Sequence, residues 1–448
     1  MTTTTRLAAA LSLGLLLHAC TFDVPDLNRP ALDQILANPT PEAVQSAATG
    51  LVAGSRADMA ERIGYVSELG ILGRESYVLT GSEDRFVSEL LAGKSLDPGT
   101  PNFGGNFWTV PYANIRNANL VLDALPKVSG FTDPEKQSIR GFAKTMMALD
   151  LLKVINTRDV NGGAIDVDLP IGQLAPLVGK DAVFARIASL LDEAKANLIA
   201  ASPAFPFPLG NGFSSFPAPA DYLKFNRALA ARVAVYRGQF APALAALSES
   251  FLDQNASLAL GAYHSFGLGS GDVQNDLNTS EILVHPSVFN DAEKKPNGDP
   301  DDRVTAKIVA VTPVSLFGLT SGYTFKLYPN KDSPIPIIRN EELILLRAEA
   351  NIGLVLAGDP AGSLGQAKAD INFIRTNSGG LAAKTGLNAS NILDELLLQK
   401  RYSLLFEGGH RWIDARRYGK LGTLPIDLPG QRVQTAFPIP TTETDARP

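Results

Sequence analysis

The sequence predicts a mainly α protein interrupted by one irregular, loop-rich stretch that carries short β hairpins. Three observations predict it. Apolar residues recur at three- and four-residue steps through most of the chain from 41 to 257 and again from 337 to 420, the spacing of helices that bury one face. That spacing fails from Leu258 to Pro336, where Gly, Ser, Asn, Asp and Thr surround short β-type fragments such as EILVHPSVF and TFKLYP. The composition, 45% hydrophobic and 19% charged over 448 residues, is that of a globular chain able to bury a large core.

The N-terminus reads as a targeting segment. Arg6 supplies a positive start, Leu7 to Leu17 is rich in Leu and Ala, and Leu17-His18-Ala19-Cys20 resembles a lipobox. The apolar run is shorter than the roughly 20 residues that span a bilayer, so residues 1–19 are expected to be a cleaved signal peptide. Cys20, the single cysteine of the chain, is the expected lipidation site, and it rules out an intramolecular disulfide. Residues 20–40, broken by Pro and Asn and bearing Asp23 and Asp26, read as a lipid-anchored tether. Residues 41–448 then form one domain, with a helical scaffold at about 41–257 and 337–420 and an insert at about 258–336.

Within that domain, Ala43, Ala47, Leu51, Met59, Ile63, Val66 and Leu69 predict helix over Pro41 to Ile71. Gly81 to Gly105, with four Gly from Gly93 onward, predicts a loop. Trp108, Tyr112, Ile115, Ala118 and Leu122 mark the next helix, in which Trp108 is read as core. Ile139, Phe142, Met146, Leu149 and Leu152 mark another, opened by Pro134 and Glu135. Val183, Ile187, Leu190 and Leu198 give a third, with Asp181 as the expected cap. Pro203 to Pro219, with five Pro and four Phe, fits neither periodicity and predicts an irregular loop. Small Ala228, Ala231 and Ala234, then Gly238, Phe240, Ala243 and Leu247, predict two closely packed helices of tetratricopeptide type. Leu343, Leu346, Ala350 and Leu354 restore the helical face after the insert. Ile392, Leu396, Gln399, Ser403 and Phe406 carry a later helix into LLFEGGHRWIDARR, residues 404–417. Planar cations, carboxylates and an indole around Gly408 and Gly409 predict two helices locked at a tight joint by ion pairing and stacking.

Chemistry is hard to find. The formal charge of −6 and the lack of a basic run make nucleic acid an unsuitable partner. The histidines beyond the signal, His264, His285 and His410, are widely spaced, and no second cysteine completes a metal site. The acidic run Asp299 to Arg303 lacks calcium-loop spacing and reads as a solvated turn. There is no nucleophile elbow, phosphate-binding loop or dinucleotide fingerprint. The reading is non-enzymatic, with no cofactor and no metal.

Several stretches together resemble the SusD/RagB family of bacterial surface lipoproteins: WTVPYANIRNANLVLDAL, DPDDR, PIIRNEELILLRAEA, INFIR, EGGHRWIDARR (with one more Gly than usual) and the terminal FPIP with Glu443. They occur in the family's order over nearly the whole chain. The resemblance implies a SusD-like fold with about four tetratricopeptide-type helix pairs, and a lipid anchor on the outer-membrane surface. It further implies capture of a nutrient, an oligosaccharide first, and delivery as the lid of a SusC-like TonB-dependent transporter. A peptide ligand of RagB type, or a pure scaffolding role, is the alternative. Shallow glycan or peptide sites use aromatic faces with planar amides and guanidiniums. The candidates are Asn102, Phe103 and Asn106 in the first loop, flanked by Tyr77 and Arg85; Tyr263, His264 and Phe266 in the second; and Tyr323 and Phe325 in the third.

Overall fold

The computed structural model describes residues 38–100, 103, 106–170, 173–269 and 272–447. The expected signal peptide, Cys20 and nearly all of the tether lie outside the described residues, as does Asn102; of Asn106 only the backbone is described.

Helix α1, Pro41–Arg56, starts where the Thr40 hydroxyl accepts the Ala43 N–H, with Pro41 in the first turn. The stretch expected to run on to Ile71 is two helices, the second being α2, Tyr65–Leu72. The chain leaves α1 so that Asp58 can meet buried Lys153 at 3.2 Å, and the Tyr65 N–H donates back to the Asp58 carbonyl. Strand β1, Ser76–Val78, follows. The segment expected as loop holds a π-helical turn, Phe86–Leu91, which points Phe86, Leu90 and Leu91 into the core.

Helices α3, Asn106–Ala124, and α4, Asp133–Arg158, come next, α4 opening on a capping box between Thr132 and Glu135. A two-stranded ribbon, β2 (Gly163–Ala164) with β3 (Leu177–Val178), precedes α5, Lys180–Ile199. Gly179, not Asp181, is the N-cap of α5; Asp181 lies in the first turn, where the helix dipole still favours it. The Pro- and Phe-rich segment is irregular but not detached. Phe205, Phe207 and Phe213 pack edge-on or tilted around Phe142 and Tyr222, with Phe142 and Phe207 centroids 5.0 Å apart.

Helices α6 (Pro219–Tyr236) and α7 (Phe240–Ser248) form the expected close pair, and the chain returns later as α10 (Asn340–Leu356), α11 (Leu364–Asn377), α12 (Ile392–Ser403) and α13 (His410–Arg417). From α3 to α7, and on through α10 to α13, each helix packs on the one before it, so the scaffold is a stack. The protein is mainly α with short strands.

The intervening stretch supplies β4 (Gly261–His264), β5 (Ile282–Val284), β6 (Ile308–Leu316), β7 (Leu319–Phe325) and β8 (Ile335–Arg339), with short helices α8 (Pro286–Asn290) and α9 (Asp302–Lys307). Strands β1-β5-β7-β6 make an antiparallel four-stranded sheet, and β4 pairs with β8. Strand β6 is outermost. All of its residues from Val309 to Ser315 are exposed, and its register against β7 shifts between Ala310 and Val314. The acidic run expected as a solvated turn is partly buried: Asp301 caps α9 and grips Arg303 at 2.5 Å, both within the core. Arg303 also reaches Gln399 and Ser403, so this turn is a clamp on α12.

The joint at 404–417 is locked as the sequence implies. Glu407 pairs with Lys307 and Arg339 at 2.9 Å each, and all three are almost fully buried. Lys400 bridges Glu349 (2.7 Å) and Asp414 (2.6 Å), while Arg417 pairs with the same two carboxylates at 2.8 Å. The Trp412 indole donates to the Gln434 carbonyl, and the Arg416 guanidinium lies 4.3 Å from its ring centroid. Phe406 stacks on Phe325 with centroids 4.0 Å apart. The turn needs positive φ at Phe406 (59°), Gly408 (122°) and Gly409 (78°).

Glu75 sits beside this joint, fully buried, its carboxyl near the Phe406 backbone N–H and with no side-chain hydrogen-bond partner. Burial pushes its carboxyl up to about 7 despite the nearby Arg411 cation. A carboxyl raised in the folded state binds its proton there at pH values where the unfolded chain has lost it. Its contribution is therefore present at acid pH and is lost as pH rises from about 4.5 through about 7. Glu75→Gln is expected to stabilise the protein at pH 8 by up to about 3 kcal/mol and to change little at pH 4.5. Urea titrations at the two pH values check this; equal effects at both would show that folding does not raise the carboxyl's pKa.

Candidate functional site at the loop face

The face expected to carry ligand contacts is built at one end of the four-stranded sheet. Residues 79–85 leave β1 where residues 278–281 enter β5, and the Leu79 N–H donating to the Glu281 carbonyl continues that pairing past the strand ends. The loop after β7 joins them, its Pro329 carbonyl accepting from the Asn278 amide. The turn after α1 closes the group through the Ala60 carbonyl, which accepts the Asp276 N–H.

On this frame the side chains form an alternating charged rim. Arg85 forks onto Glu83 with bonds of 2.8 and 2.5 Å, and its guanidinium lies 4.5 Å from the Phe103 ring centroid. Arg62 pairs with Glu281 and lies within electrostatic reach of Glu83. The Arg85 hydrogen bond holds the Glu83 carboxyl below its ordinary range, and hydrogen bonds from Thr80 and Arg62 do the same for Glu281. Both are therefore ionised acceptors at neutral pH. All four side chains remain 21–38% exposed. Fixed acceptors beside planar donors, open to water, suit hydroxyl-rich or peptide ligands, which present both donors and acceptors.

The aromatic part of the expectation is corrected. Phe103 is fully buried, edge-on to Phe86. Tyr77, Phe266 and Phe325 are buried in the same hydrophobic cluster, Tyr77 tilted against His285 and Phe325 under Phe406. These rings tie their loops to the core and leave no face for a ligand, because a loop without periodic packing needs large apolar anchors. His264 is buried, and burial holds its imidazole neutral. Tyr263 is half-buried with its hydroxyl donated to the Ala259 carbonyl, and Tyr323 is half-buried under Phe289, with centroids 4.6 Å apart. Of the expected contact residues that are described with side chains, Arg85 alone joins the charged rim.

Sequence reasoning missed Arg62, Thr80, Glu83 and Glu281. Glu83 was visible two residues from Arg85, but nothing in the local pattern brings Arg62 to Glu281, 219 residues apart. Among the described residues no group of three His, Cys, Asp or Glu side chains is placed to hold a metal ion, and no helix is long and apolar enough to cross a membrane.

By sequence the chain matches no family model and no curated protein. By structure it is similar to a SusD-like carbohydrate-binding protein from Bacteroides fragilis (TM-score 0.70, 13% identity, covering 92% of this chain and 99% of that one). It is also similar to a laminarin-binding SusD-like protein (0.64, 18%, 91% and 98%) and to surface glycan-binding protein A from Bacteroides uniformis (0.67, 14%, 91% and 98%). Identities this low bear on the fold alone. The fold is SusD-like over about nine-tenths of the chain.

Proposed function

We propose that this protein is a glycan-binding lipoprotein, held at the outer-membrane surface by lipid on Cys20, which captures an oligosaccharide and delivers it as the lid of a SusC-like TonB-dependent transporter. The observation that carries the reading is the fold match over more than nine-tenths of both chains to proteins described as binding carbohydrate, laminarin and glycan. The charged rim of Arg62, Glu83, Arg85 and Glu281 supports it as the ligand-contacting surface, since its donors and acceptors remain open to solvent. Ligand transfer of this kind needs binding and release and no bond cleavage, so the protein itself is read as non-enzymatic.

A glycan panel tested by calorimetry checks it. One oligosaccharide class is expected to bind and be recovered unchanged, and the double substitution Arg62→Ala with Arg85→Ala is expected to weaken it at least about tenfold while leaving the fold intact. Binding of peptides but no glycan would move the reading to the RagB-like alternative. Purification of the native protein from membranes without any large β-barrel partner would remove the lid role.

A further inference from the structure

Helices α12 and α13 and the turn at 420–424 line a half-open cleft of about 360 Å³ that shares no residue with the loop face. Its walls divide by chemistry. Leu397 and Leu398 of α12 and Leu424 of the turn supply apolar surface; Lys400, Arg401, Arg411 and Lys420 supply cations. Two carboxylates also line it but are engaged: Asp414 with Lys400 and Arg417, and Asp394 with Lys420 at 2.7 Å.

The two guanidiniums are not fully answered. Arg401, only 8% exposed, bonds Asp291 and Ser287 through its terminal nitrogens, while its Nε, without a partner, is closed to solvent. Arg411 donates to the Arg74 carbonyl at 2.9 Å; Glu75 and Asp291 act on it from further off, and among the described residues no carboxylate lies within ion-pair distance. Burial and the like charge of Arg401 lower the Arg411 guanidinium to about 9. Arg401 has its ion pair in Asp291, whereas Arg411 is half-buried without a direct ion pair, a position that favours an arriving anion.

We propose that this cavity is a second binding site, for a small amphipathic carboxylate: the carboxylate seated against Arg401 and Arg411, the apolar body on Leu397, Leu398 and Leu424. Planar guanidiniums match a carboxylate's two oxygens, and the leucines favour an organic acid over a bare inorganic anion. The volume is at the lower end of small-molecule sites and fits a body of several carbons. The site shares no residue with the charged rim, so it stands or falls apart from the glycan reading.

Calorimetry on the purified full-length chain tests it, with hexanoate as the probe and hexanol, acetate and phosphate as comparisons. One hexanoate per chain is expected, with hexanol and acetate each weaker by about tenfold or more, since each lacks one half of the recognition. Thr423→Trp, an exposed position on the cavity wall, is expected to block hexanoate without unfolding the protein, and Lys420→Glu to weaken it. Arg62→Ala with Arg85→Ala should leave hexanoate binding unchanged. Equal binding of hexanol, equal binding of phosphate, or full hexanoate affinity in Thr423→Trp would each overturn the proposal.

Discussion

Lys400→Met is expected to destabilise the protein by about 3–5 kcal/mol, the cost of removing one partner from a buried ion pair. The side chain is 3% exposed and its ammonium bridges two carboxylates that are themselves out of water. Glu349 is fully buried, and against that burial its cations, Lys400 first, hold its carboxyl down at about 2. Methionine keeps the length and most of the volume of lysine, so little cavity forms and the loss is one of charge. Arg417 then remains as a partner for both Glu349 and Asp414, and one carboxylate is left under-compensated. The measurement is the urea midpoint at pH 7 with its slope. A loss below about 1 kcal/mol would mean that α10, α12 and α13 are held by apolar packing alone. Combining Lys400→Met with Glu349→Gln should cost less than the sum of the two, because the second change removes the charge that the first exposes.

Gly409→Ala is expected to cost about 2–5 kcal/mol, from two separable sources. The backbone at φ 78° is left-handed, which costs an alanine about 1–2 kcal/mol. A Cβ there would also stand 2.4 Å from the Leu69 Cβ on α2, and relieving such overlap in a packed core costs about 1–3 kcal/mol. Gly238→Ala isolates the first source: its φ is 69° and nothing lies within 4 Å of the added carbon, so about 1–2 kcal/mol is expected. Equal losses at the two sites, read from urea denaturation, would show that α2 yields to the new methyl and that the close approach of the joint is not a constraint.

The parts of this fold that were legible in the sequence are those where burial repeats. Leu343, Leu346, Ala350 and Leu354 face the core of α10 at helical spacing, and all are buried as that spacing requires. The Glu, Arg and Trp around Gly408 were legible as a lock because such groups enter a core only when paired. What could not be read locally was where an irregular segment points its side chains. Phe103 and Phe266 look the same in a Gly-rich string whether they wait for a ligand or pin the string down; only the tertiary contacts with Phe86 and Arg56 decide it. The same limit hid the rim, since Arg62 and Glu281 meet across 219 residues. The break between α1 and α2 was hidden for another reason. Apolar periodicity continued through it, and the demand of a buried Lys153 for Asp58 overrode local propensity.

Strand β6 bears on how the molecule behaves in company. Its free side offers backbone donors and acceptors beside outward Val309, Val311 and Val314, the arrangement that recruits a foreign strand and seeds aggregation. Pro313 takes one N–H donor out of the strand, and the slipped register around it bends the ribbon away from the straight template that stacking demands. The strand thus carries its own safeguard, and Pro313→Val is expected to raise the rate of fibril formation, read by thioflavin fluorescence; an unchanged rate would place the safeguard elsewhere.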